Sequence, residues 1–424
     1  MERPLTQHII SDTSVGNLEN YRKVGGYSCL QKVLKSMTPG EVTNIVKASN
    51  LLGRGGAGFP TGAKWSLVPM ETVKSGPKYL VCNADEMEPG TFKDRYLLEG
   101  NPHQLIEGMI IAAYAIQAEK SYIFLRWAYK KAEKVLRKAI EEAYNAGYLG
   151  NNILGSGFNL DMHVHSSAGR YICGEETALL NSLEGKRALP RAKPPYPAIN
   201  GLFGRPTVVN NVETLSWISH IVEKGAEWFK GLSLTGTGGT KLFGVSGKVK
   251  NPGTWELPLG ITFRQLLEEH AGGMIDGHKF RGALPGGAST DFIIEEHLDV
   301  RMDFKTVAAV GSRLGTGTMI VLDDKTCPVS FIHNVEKFFA LESCGWCTPC
   351  REGLPWVEKM LSSIEEGTGK IEYLDLLSFS AKYMGPGNTF CAHAPGAAEP
   401  LQSGLKYFYD DFVKHITDKK CPWR

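Results

Sequence analysis

Tyr79-Leu80-Val81-Cys82 runs straight into Asn83-Ala84-Asp85-Glu86-Met87-Glu88-Pro89-Gly90: four apolar residues, then an acidic loop closed by a Pro-Gly turn. The run is too short for a helix face, so it reads as a buried strand. Downstream, Asn101-Pro102 supplies an N-cap and a proline at the first helical position, opening a helix to about Gln117. The next strand falls at 122–125 and the charged amphipathic run 127–146 is the next helix. A third strand follows at 159–165 and a third helix at 174–183. Strands and helices alternating at this spacing predict parallel pairing with crossover helices. In such sheets ligands sit beyond the carboxyl ends of the strands, which is where the acidic loop lies.

Upstream, a helical stretch over 39–50 leads into Gly53-Arg54-Gly55-Gly56-Ala57-Gly58-Phe59-Pro60-Thr61-Gly62. This spells the G-x-G-x-x-G of a dinucleotide fingerprint. The fingerprint needs a strand before it and a strand ending in an acid about 20 residues on, and neither is evident, so that reading is rejected. What survives is physical: glycine-rich backbone lets N–H groups close on a phosphate or a flat ring. Lys64 is a cation suited to such a group. Phe59 is either a stacking platform or a hydrophobic staple.

Further along, Ser233 to Thr240 reads as a boundary. Short strands at 241–249, 253–257 and 319–322 with a helix at 262–270 make a small α+β module. From residue 328 the pattern is helical, at 329–342, 351–365, 370–383 and 397–416. The chain therefore divides into a segment 1–63, a parallel-sheet domain 64–235, a small domain 236–326 and a helical domain 327–424. A length of 424 residues accommodates this, at ~150 per domain. Net charge is +2, which gives no support to nucleic-acid binding. The 48 glycines exceed the usual ~7% and point to tight turns and close backbone approaches. Residues 108–118 form the longest uncharged apolar stretch, about half of the ~20 residues a spanning helix needs. The start Met1-Glu2-Arg3-Pro4 has no apolar leader core and no Arg/Ser-rich presequence, so a cytoplasmic location is expected.

Nine cysteines are too few for a disulfide scaffold, and their spacing matters more than their number. Cys344-Gly-Trp-Cys347-Thr-Pro-Cys350 places three sulfurs on one tight loop. A cubane iron–sulfur cluster needs three close thiolates and a fourth from elsewhere, whereas structural zinc more often uses two separate pairs. A [4Fe–4S] site is the preferred reading. Cys391 is the fourth ligand, although His393 close by is an alternative. Arg351 and the helix start beside the sulfurs would favour the reduced cluster. The other five share no ligand spacing. Cys29, Cys82 and Cys327 are expected to be small buried residues, Cys173 is ambiguous, and Cys421 is expected to be a solvent-accessible thiol.

The acids at Asp85, Glu86 and Glu88 either solvate a turn or accept hydrogen bonds from ribityl and ribose hydroxyls. Glu175-Glu176, in the first turn of a helix, either offset its dipole or serve a ligand. Asn210-Asn211 before the helix 212–223 carry the same ambiguity between N-cap and ligand. Arg191-Ala-Lys193-Pro-Pro-Tyr196-Pro is a stiff segment holding a cation and an aromatic at fixed separation. That suits a diphosphate and an adenine, or simply a surface loop.

The five motifs Gly53-Arg-Gly-Gly-Ala-Gly-Phe-Pro-Thr-Gly-x-Lys64-Trp65, Asn83-Ala-Asp-Glu-x-Glu-Pro-Gly-Thr-Phe-Lys-Asp94-Arg95, Tyr171-x-Cys-Gly-Glu-Glu-Thr-Ala-Leu, Asn210-Asn-Val-Glu-Thr214-Leu and Ser343-Cys-Gly-x-Cys-x-Pro-Cys-Arg-Glu-Gly353 occur in this order. Together the chain closely resembles the NADH-binding F subunits of bacterial respiratory complex I, which carry FMN and an iron–sulfur cluster. Diaphorase subunits of NAD-reducing hydrogenases and formate dehydrogenases share the motifs. The resemblance implies a Rossmann-like flavin domain, a ubiquitin-like β-grasp domain and a helical bundle bearing the cluster. It implies FMN contacts from the loop residues Gly53, Arg54, Gly55, Gly56 and Gly58 with Lys64, and from Asn83, Asp85, Glu88, Gly174, Glu175, Asn210, Asn211 and Thr214. NADH would meet Phe59, Glu88, Glu176, Lys193 and Tyr196, with Glu88 and Glu176 nearest the chemistry. One departure stands out: an aromatic that some relatives carry three residues after Lys64 is Leu67 here. The implied function is NADH dehydrogenation within an NADH:quinone oxidoreductase, peripheral to the inner membrane. Its implied partners are the thioredoxin-like [2Fe–2S] E subunit and a larger iron–sulfur subunit. A hydrogenase or formate dehydrogenase diaphorase is the nearest rival. A redox-inactive zinc scaffold is a more distant one.

Overall fold

The computed structural model describes residues 2–9, 16–70 and 76–423. Helices α1 (Leu18–Lys23), α2 (Ser28–Ser36) and α3 (Pro39–Ala48) come first, followed by the glycine loop and α4 (Thr61–Ser66). Thr38 and Glu41 form a reciprocal capping box with Pro39 at the first turn, so α3 starts where the sequence places it. The parallel unit follows as β1 (Tyr79–Ala84), α5 (Asp94–Gly100), α6 (Pro102–Ile116), β2 (Lys120–Leu125), α7 (Lys130–Asn145), β3 (Asp161–Ser166), α8 (Glu176–Leu183), β4 (Thr207–Asn211), α9 (Val212–Ser216) and α10 (Ile218–Lys224). Asn101 caps α6 by accepting from the Gln104 N–H at 3.4 Å. Nearly every residue of α6 is buried, which makes it the central helix of this unit. The N-terminal helices bury Val33, Val42 and Val46 in the same core as Leu80, Ile110 and Ile123.

The first sheet has the order β3-β2-β1-β4, all parallel. Two of its features depart from the sequence reading. β1 continues through Asn83 and Ala84, so the acidic loop begins at Asp85. β4 itself was not expected: Asn210 and Asn211 end a strand before Asn211 caps a helix.

A second sheet comprises β5 (Thr240–Gly247), β6 (Gly253–Pro258), β7 (Phe280–Leu284) and β8 (Thr318–Asp323), in the order β6-β5-β8-β7. β5 and β8 pair in parallel at its centre, flanked by antiparallel neighbours. One face buries Phe243, Val245, Met319 and Val321 against Phe263 and Leu266. β7 was also unexpected; it carries Arg281 and Gly282 in a five-residue strand, which hides its pattern.

The last helices are α11 (Pro328–Glu342), α12 (Thr348–Glu365), α13 (Glu372–Met384), α14 (His393–Tyr407) and α15 (Tyr409–Asp418). They enclose Phe339, Leu354, Val357, Leu361, Leu377, Leu401 and Phe412. The single helix expected over 397–416 breaks at Phe408. No helix among the described residues is long and apolar enough to cross a membrane.

Candidate functional site

The chain lays down β1, moves outward through β2 and β3, then returns to place β4 on the other side of β1. Crossovers leaving neighbouring parallel strands in opposite directions open a crevice at their carboxyl ends. Here Asn83 and Asn211 face each other in register at its floor. The glycine loop covers it. Gly53 N–H donates to the Phe59 carbonyl at 2.9 Å and pinches the loop shut. Arg54 N–H donates to Thr214 Oγ1 at 2.9 Å, and a Cβ on Gly55 would stand 3.1 Å from that of Asn211. A side chain there would have to push Asn211 back by a few tenths of an ångström. Gly56 and Gly58 hold φ of +129° and +66° in the tip, and Phe59 projects from it, 53% exposed. The preceding element is α3 and not a strand, so the rejection of the dinucleotide fingerprint holds.

Asp85, just past β1, accepts from the Ser167 hydroxyl at 2.9 Å through one oxygen. Its Oδ2 is buried and has no hydrogen-bond partner. Burial raises its pKa to about 6. An acceptor with open lone pairs at the strand ends is suited to a ligand hydroxyl. Together with the side-chain-free loop, this donor and acceptor set fits a polyhydroxyl phosphate carrying a flat ring, the chemistry of FMN. Asn83 Nδ2 donates to the Gly174 carbonyl at 2.9 Å, which binds the opposite wall to β1. Neighbouring Glu86 turns inward, accepting from the N–H groups of Lys93 and Asp94 and from the Tyr129 hydroxyl.

That wall is the start of α8. Glu175 caps it, Oε2 accepting from Thr177 N–H and Ala178 N–H at 2.8 and 2.9 Å. Its Oε1 pairs with Lys193 Nζ at 3.1 Å, as does Glu176 Oε1. Lys64 Nζ lies 2.6 Å from Glu176 Oε2 and donates to the Val209 carbonyl at 2.8 Å. Two acids and two cations thus form one partly exposed rim, and Lys64 and Lys193 hold the Glu176 carboxyl below its ordinary range despite its burial. Tyr196 stands 55% exposed beyond Lys193.

Other expected residues are tied into the frame. Asn210 accepts from Trp65 Nε1 at 2.9 Å, and Asn211 reaches Asp94 Oδ2 at 2.5 Å. The Arg54 guanidinium is fully buried and donates to the Gly238 and Thr240 carbonyls. Arg191 is spent on Asn181, Glu184 and Gly201. Glu88 accepts from the Tyr171 hydroxyl at 2.5 Å and the Ser289 N–H at 2.7 Å, so it bridges the parallel unit and the second sheet's unit. Tyr171 and Ser289 were not singled out in the sequence; only a position across from an acid in the folded chain marks them.

The four cysteines come together at the start of α12. Cys347 caps that helix and Cys350 lies in its first turn, after Gly345 at φ +79°. Phe390 N–H donates to Cys347 Sγ at 3.4 Å, which brings the Cys391 strand of chain alongside. Burial raises the Cys350 thiol to about 11, helped by Cys344 and Cys347. Cys391 rises to about 12, first by burial, with Glu175, Cys344 and Cys350 contributing. Among the described residues, the side chains that close to within 4.8 Å as possible metal groups are others. No three of these four sulfurs lie mutually within that distance, whereas the edges of a closed tetrahedral Zn–S₄ site are ~3.8 Å. Three thiols on one tight turn with a fourth brought alongside suit a cubane cluster. Arg351 donates to the Gly345 carbonyl at 3.0 Å, over the loop as expected. His393 is buried with Nε2 on the Phe339 carbonyl at 2.8 Å, while its Nδ1 has no hydrogen-bond partner.

The two seats share a wall. Cys344 and Cys391 pack against the apolar cluster that includes Ile172, Cys173 and Ala178, the residues around Gly174-Glu175-Glu176. Tyr171 N–H donates to Glu342 at 3.0 Å and Arg187 to the Cys344 carbonyl at 3.2 Å.

Two expectations about the remaining cysteines need correction. Cys421 is buried and not a solvent-accessible thiol, because the tail after α15 folds back onto the helical unit. Cys327 is buried as expected, yet it lies among polar groups as the cap of α11.

Comparison with known proteins agrees with this layout. A family model described as the Nuo51 FMN-binding domain matches residues 46–220, and one described as the NADH-ubiquinone oxidoreductase-F iron-sulfur binding region matches 330–415. An SLBB domain matches 242–292. The chain is 54% identical over 413 residues to the F subunit of NADH-quinone oxidoreductase from Escherichia coli K12, covering 97% of this chain and 93% of that protein. It is 56% identical over 418 residues to the corresponding F subunit of Buchnera aphidicola from Schizaphis graminum, covering 98% and 93%. Among solved structures it superposes on a chain of the NAD⁺-reducing [NiFe]-hydrogenase in its H₂-reduced state. The TM-score there is 0.83 at 33% identity, covering 99% of this chain and 67% of that one.

Proposed function

The chain belongs to the family of NADH-quinone oxidoreductase F subunits, and on that premise we propose which of its residues do the work of an NADH dehydrogenase holding FMN and a [4Fe–4S] cluster. FMN supplies the exchange between a two-electron hydride donor and a one-electron cluster. Every other part is this chain's own.

The crevice between β1 and β4 receives the flavin. Gly53, Gly55, Gly56 and Gly58 bring backbone close to it, and Asp85 Oδ2 accepts from a ribityl hydroxyl. Asn83, Asn210, Asn211, Thr214 and Gly174 keep the walls in place through the hydrogen bonds already described, while Arg54 and Glu88 hold the loop and the neighbouring unit. Phe59 and Tyr196, both exposed aromatics, flank the adenine side of NADH. Lys64, Glu175, Glu176 and Lys193 form the rim over which the nicotinamide enters. Because those four charges cancel, the rim admits both the neutral and the cationic ring. Cys344, Cys347, Cys350 and Cys391 hold the cluster.

The observation that supports this reading is the shared wall: Gly174 is tied to Asn83 of the crevice, Glu175 is an electrostatic neighbour of Cys391, and Cys344 and Cys391 pack against the apolar cluster that includes Ile172, Cys173 and Ala178. We divide the chain at about residues 63, 235 and 326, with the second sheet as a β-grasp domain and the last helices as the cluster-bearing bundle. The chain sits in the cytoplasm, peripheral to the inner membrane, held there by the thioredoxin-like [2Fe–2S] E subunit and a larger iron–sulfur subunit.

The test is an anaerobic NADH titration of the purified protein followed by visible absorbance and electron paramagnetic resonance. Bleaching of a flavin band, with a cluster signal, is expected. A colourless protein that releases no FMN on acidification overturns the reading. The hydrogenase likeness supports a second reading, a soluble diaphorase of a hydrogenase complex. Co-purification with membrane-bound quinone reductase activity selects the first; co-purification with hydrogen-dependent NAD⁺ reduction selects the second.

A further inference from the structure

Cys327 caps α11, Glu365 ends α12, His415 lies in α15 and Cys421 in the tail beyond it. Two sulfurs, a carboxylate oxygen and an imidazole nitrogen from these four residues all lie within 4.8 Å of one another. All four side chains are buried. Cys327 Sγ stands 3.3 Å from His415 Nε2 and 3.5 Å from Glu365 Oε1. His415 Nε2 and Glu365 Oε1 are 3.2 Å apart. A tetrahedral zinc with bonds of about 2.0–2.3 Å sets ligand edges of about 3.3–3.8 Å, and these separations lie at or near the lower part of that range.

The surroundings favour a metal as well. His415 Nδ1 lies 2.7 Å from the Asp411 carbonyl. A carbonyl only accepts, so Nδ1 carries the hydrogen and Nε2 faces the other three groups, the orientation a metal-bound histidine takes. Ser330 N–H donates to Cys327 Sγ at 3.3 Å at the start of a 15-residue helix, which favours the thiolate. Trp423 stacks on the His415 ring, and Arg281 lies over the Trp423 ring while pairing with Asp411. A cation therefore stands one layer out from a site that two thiolates, a carboxylate and a divalent ion would leave at −1. A surface depression bordered by Lys325, Phe331 and Trp423 reaches Cys327 and Cys421 and gives access.

We propose that Cys327, Glu365, His415 and Cys421 bind one structural zinc ion, separate from the iron–sulfur seat, which staples the C-terminal tail to the start of the helical unit. Two sulfurs, one nitrogen and one oxygen suit zinc, and four protein ligands with no open position make the site structural and not catalytic. Both thiols release their protons on binding. The site does not depend on the flavin reading, since it shares no residue with the crevice or with the four cluster cysteines.

The test uses the full-length holoprotein, purified without a metal-affinity tag from zinc-sufficient medium. Metal analysis is expected to find about one zinc per chain beside the iron, with two sulfurs and two lighter neighbours by zinc-edge X-ray absorption. In Cys421→Ser and His415→Gln, zinc content after dialysis should fall at least about tenfold while iron and flavin contents hold. Should neither variant fold, peptide mapping of the unaltered protein decides: chelation should make Cys327 and Cys421 newly alkylable. Zinc-free protein, zinc that persists in both variants, or a disulfide between Cys327 and Cys421 would each overturn the proposal.

Discussion

Asp85 carries a single open carboxylate oxygen, and that makes the crevice sensitive to acid. Burial holds its pKa at about 6, so its ionised share goes from about a tenth at pH 5 to about nine tenths at pH 7. A ligand hydroxyl binds the ionised form better, so FMN affinity should climb up to about tenfold over that interval. Comparing fluorescence titrations of the unaltered protein with Asp85→Asn isolates the effect, because the flavin's own phosphate titrates in both. A rise of the same size in Asp85→Asn would assign all of it to the phosphate. Taken alone, the same group works the other way on stability. Its folded pKa lies above the unfolded ~3.9, so its contribution is full below pH 4 and is lost as pH rises through 6. Glu176 offers a second residue-scale expectation. Its charge balances Lys64, and Glu176→Gln leaves the rim with an excess cation. NAD⁺ should then weaken by more than NADH, since only the oxidised ring is positive. Equal changes in the two dissociation constants would defeat this.

At the scale of elements, the glycine loop is the most exacting piece. Gly58 combines a φ of +66° with a Cβ position 2.7 Å from the Phe304 ring. Gly58→Ala should cost about 1–2 kcal/mol from the backbone alone, and more from the ring clash. Thermal unfolding of the apoprotein, together with a loss of FMN affinity, checks it. An unchanged melting profile would mean that the loop relaxes freely. Elements differ in how plainly the sequence announces them. α6 was readable because Asn101, Pro102 and a long apolar run agree with one another. β4 was not, because Thr207-Val208-Val209 is too short to show a period and the two asparagines after it imitate a helix cap. β7 interleaves Arg281 and Gly282 and looks like a turn. The crevice follows the same division. Its loop, its acids and the segment holding Gly174 stood out as motifs, whereas Ser167 and Ser289 became relevant only when the fold brought them opposite Asp85 and Glu88. Cys327 and Cys421, nearly a hundred residues apart, carry no local signal that they meet.

Across the whole molecule, the parallel unit and the second sheet's unit are joined by buried charge. Lys93 Nζ lies 2.6 Å from Asp94 and 2.7 Å from Glu213, and Lys241 of β5 stands 3.3 Å from the same Glu213. All four side chains are almost wholly buried. Removing Lys93 takes from Asp94 its ion pair and leaves Glu213 with the longer one to Lys241, so Lys93→Met should destabilise by about 3–5 kcal/mol. Lys241→Met should cost less, because Glu213 keeps Lys93. Urea unfolding of the two variants side by side checks the order, and a reversed ranking would place the principal pair on Lys241.

The strand order sets a timetable as well as a shape. One wall of the crevice is β1 and the other is β4, and about 120 residues of chain separate them. At a synthesis rate of 5–20 residues per second, the first wall waits about 6–24 s for the second. During that interval β1 has β2 on one side, and on the other a row of backbone groups with no strand to pair with. The glycine loop, made earlier still, has no Thr214 to rest on. The nascent chain thus has no pocket until its first half is complete, and the cysteines of the cluster seat emerge later yet. Flavin cannot bind before that wall is finished, and the iron–sulfur centre cannot be completed until Cys391, made later still, has emerged.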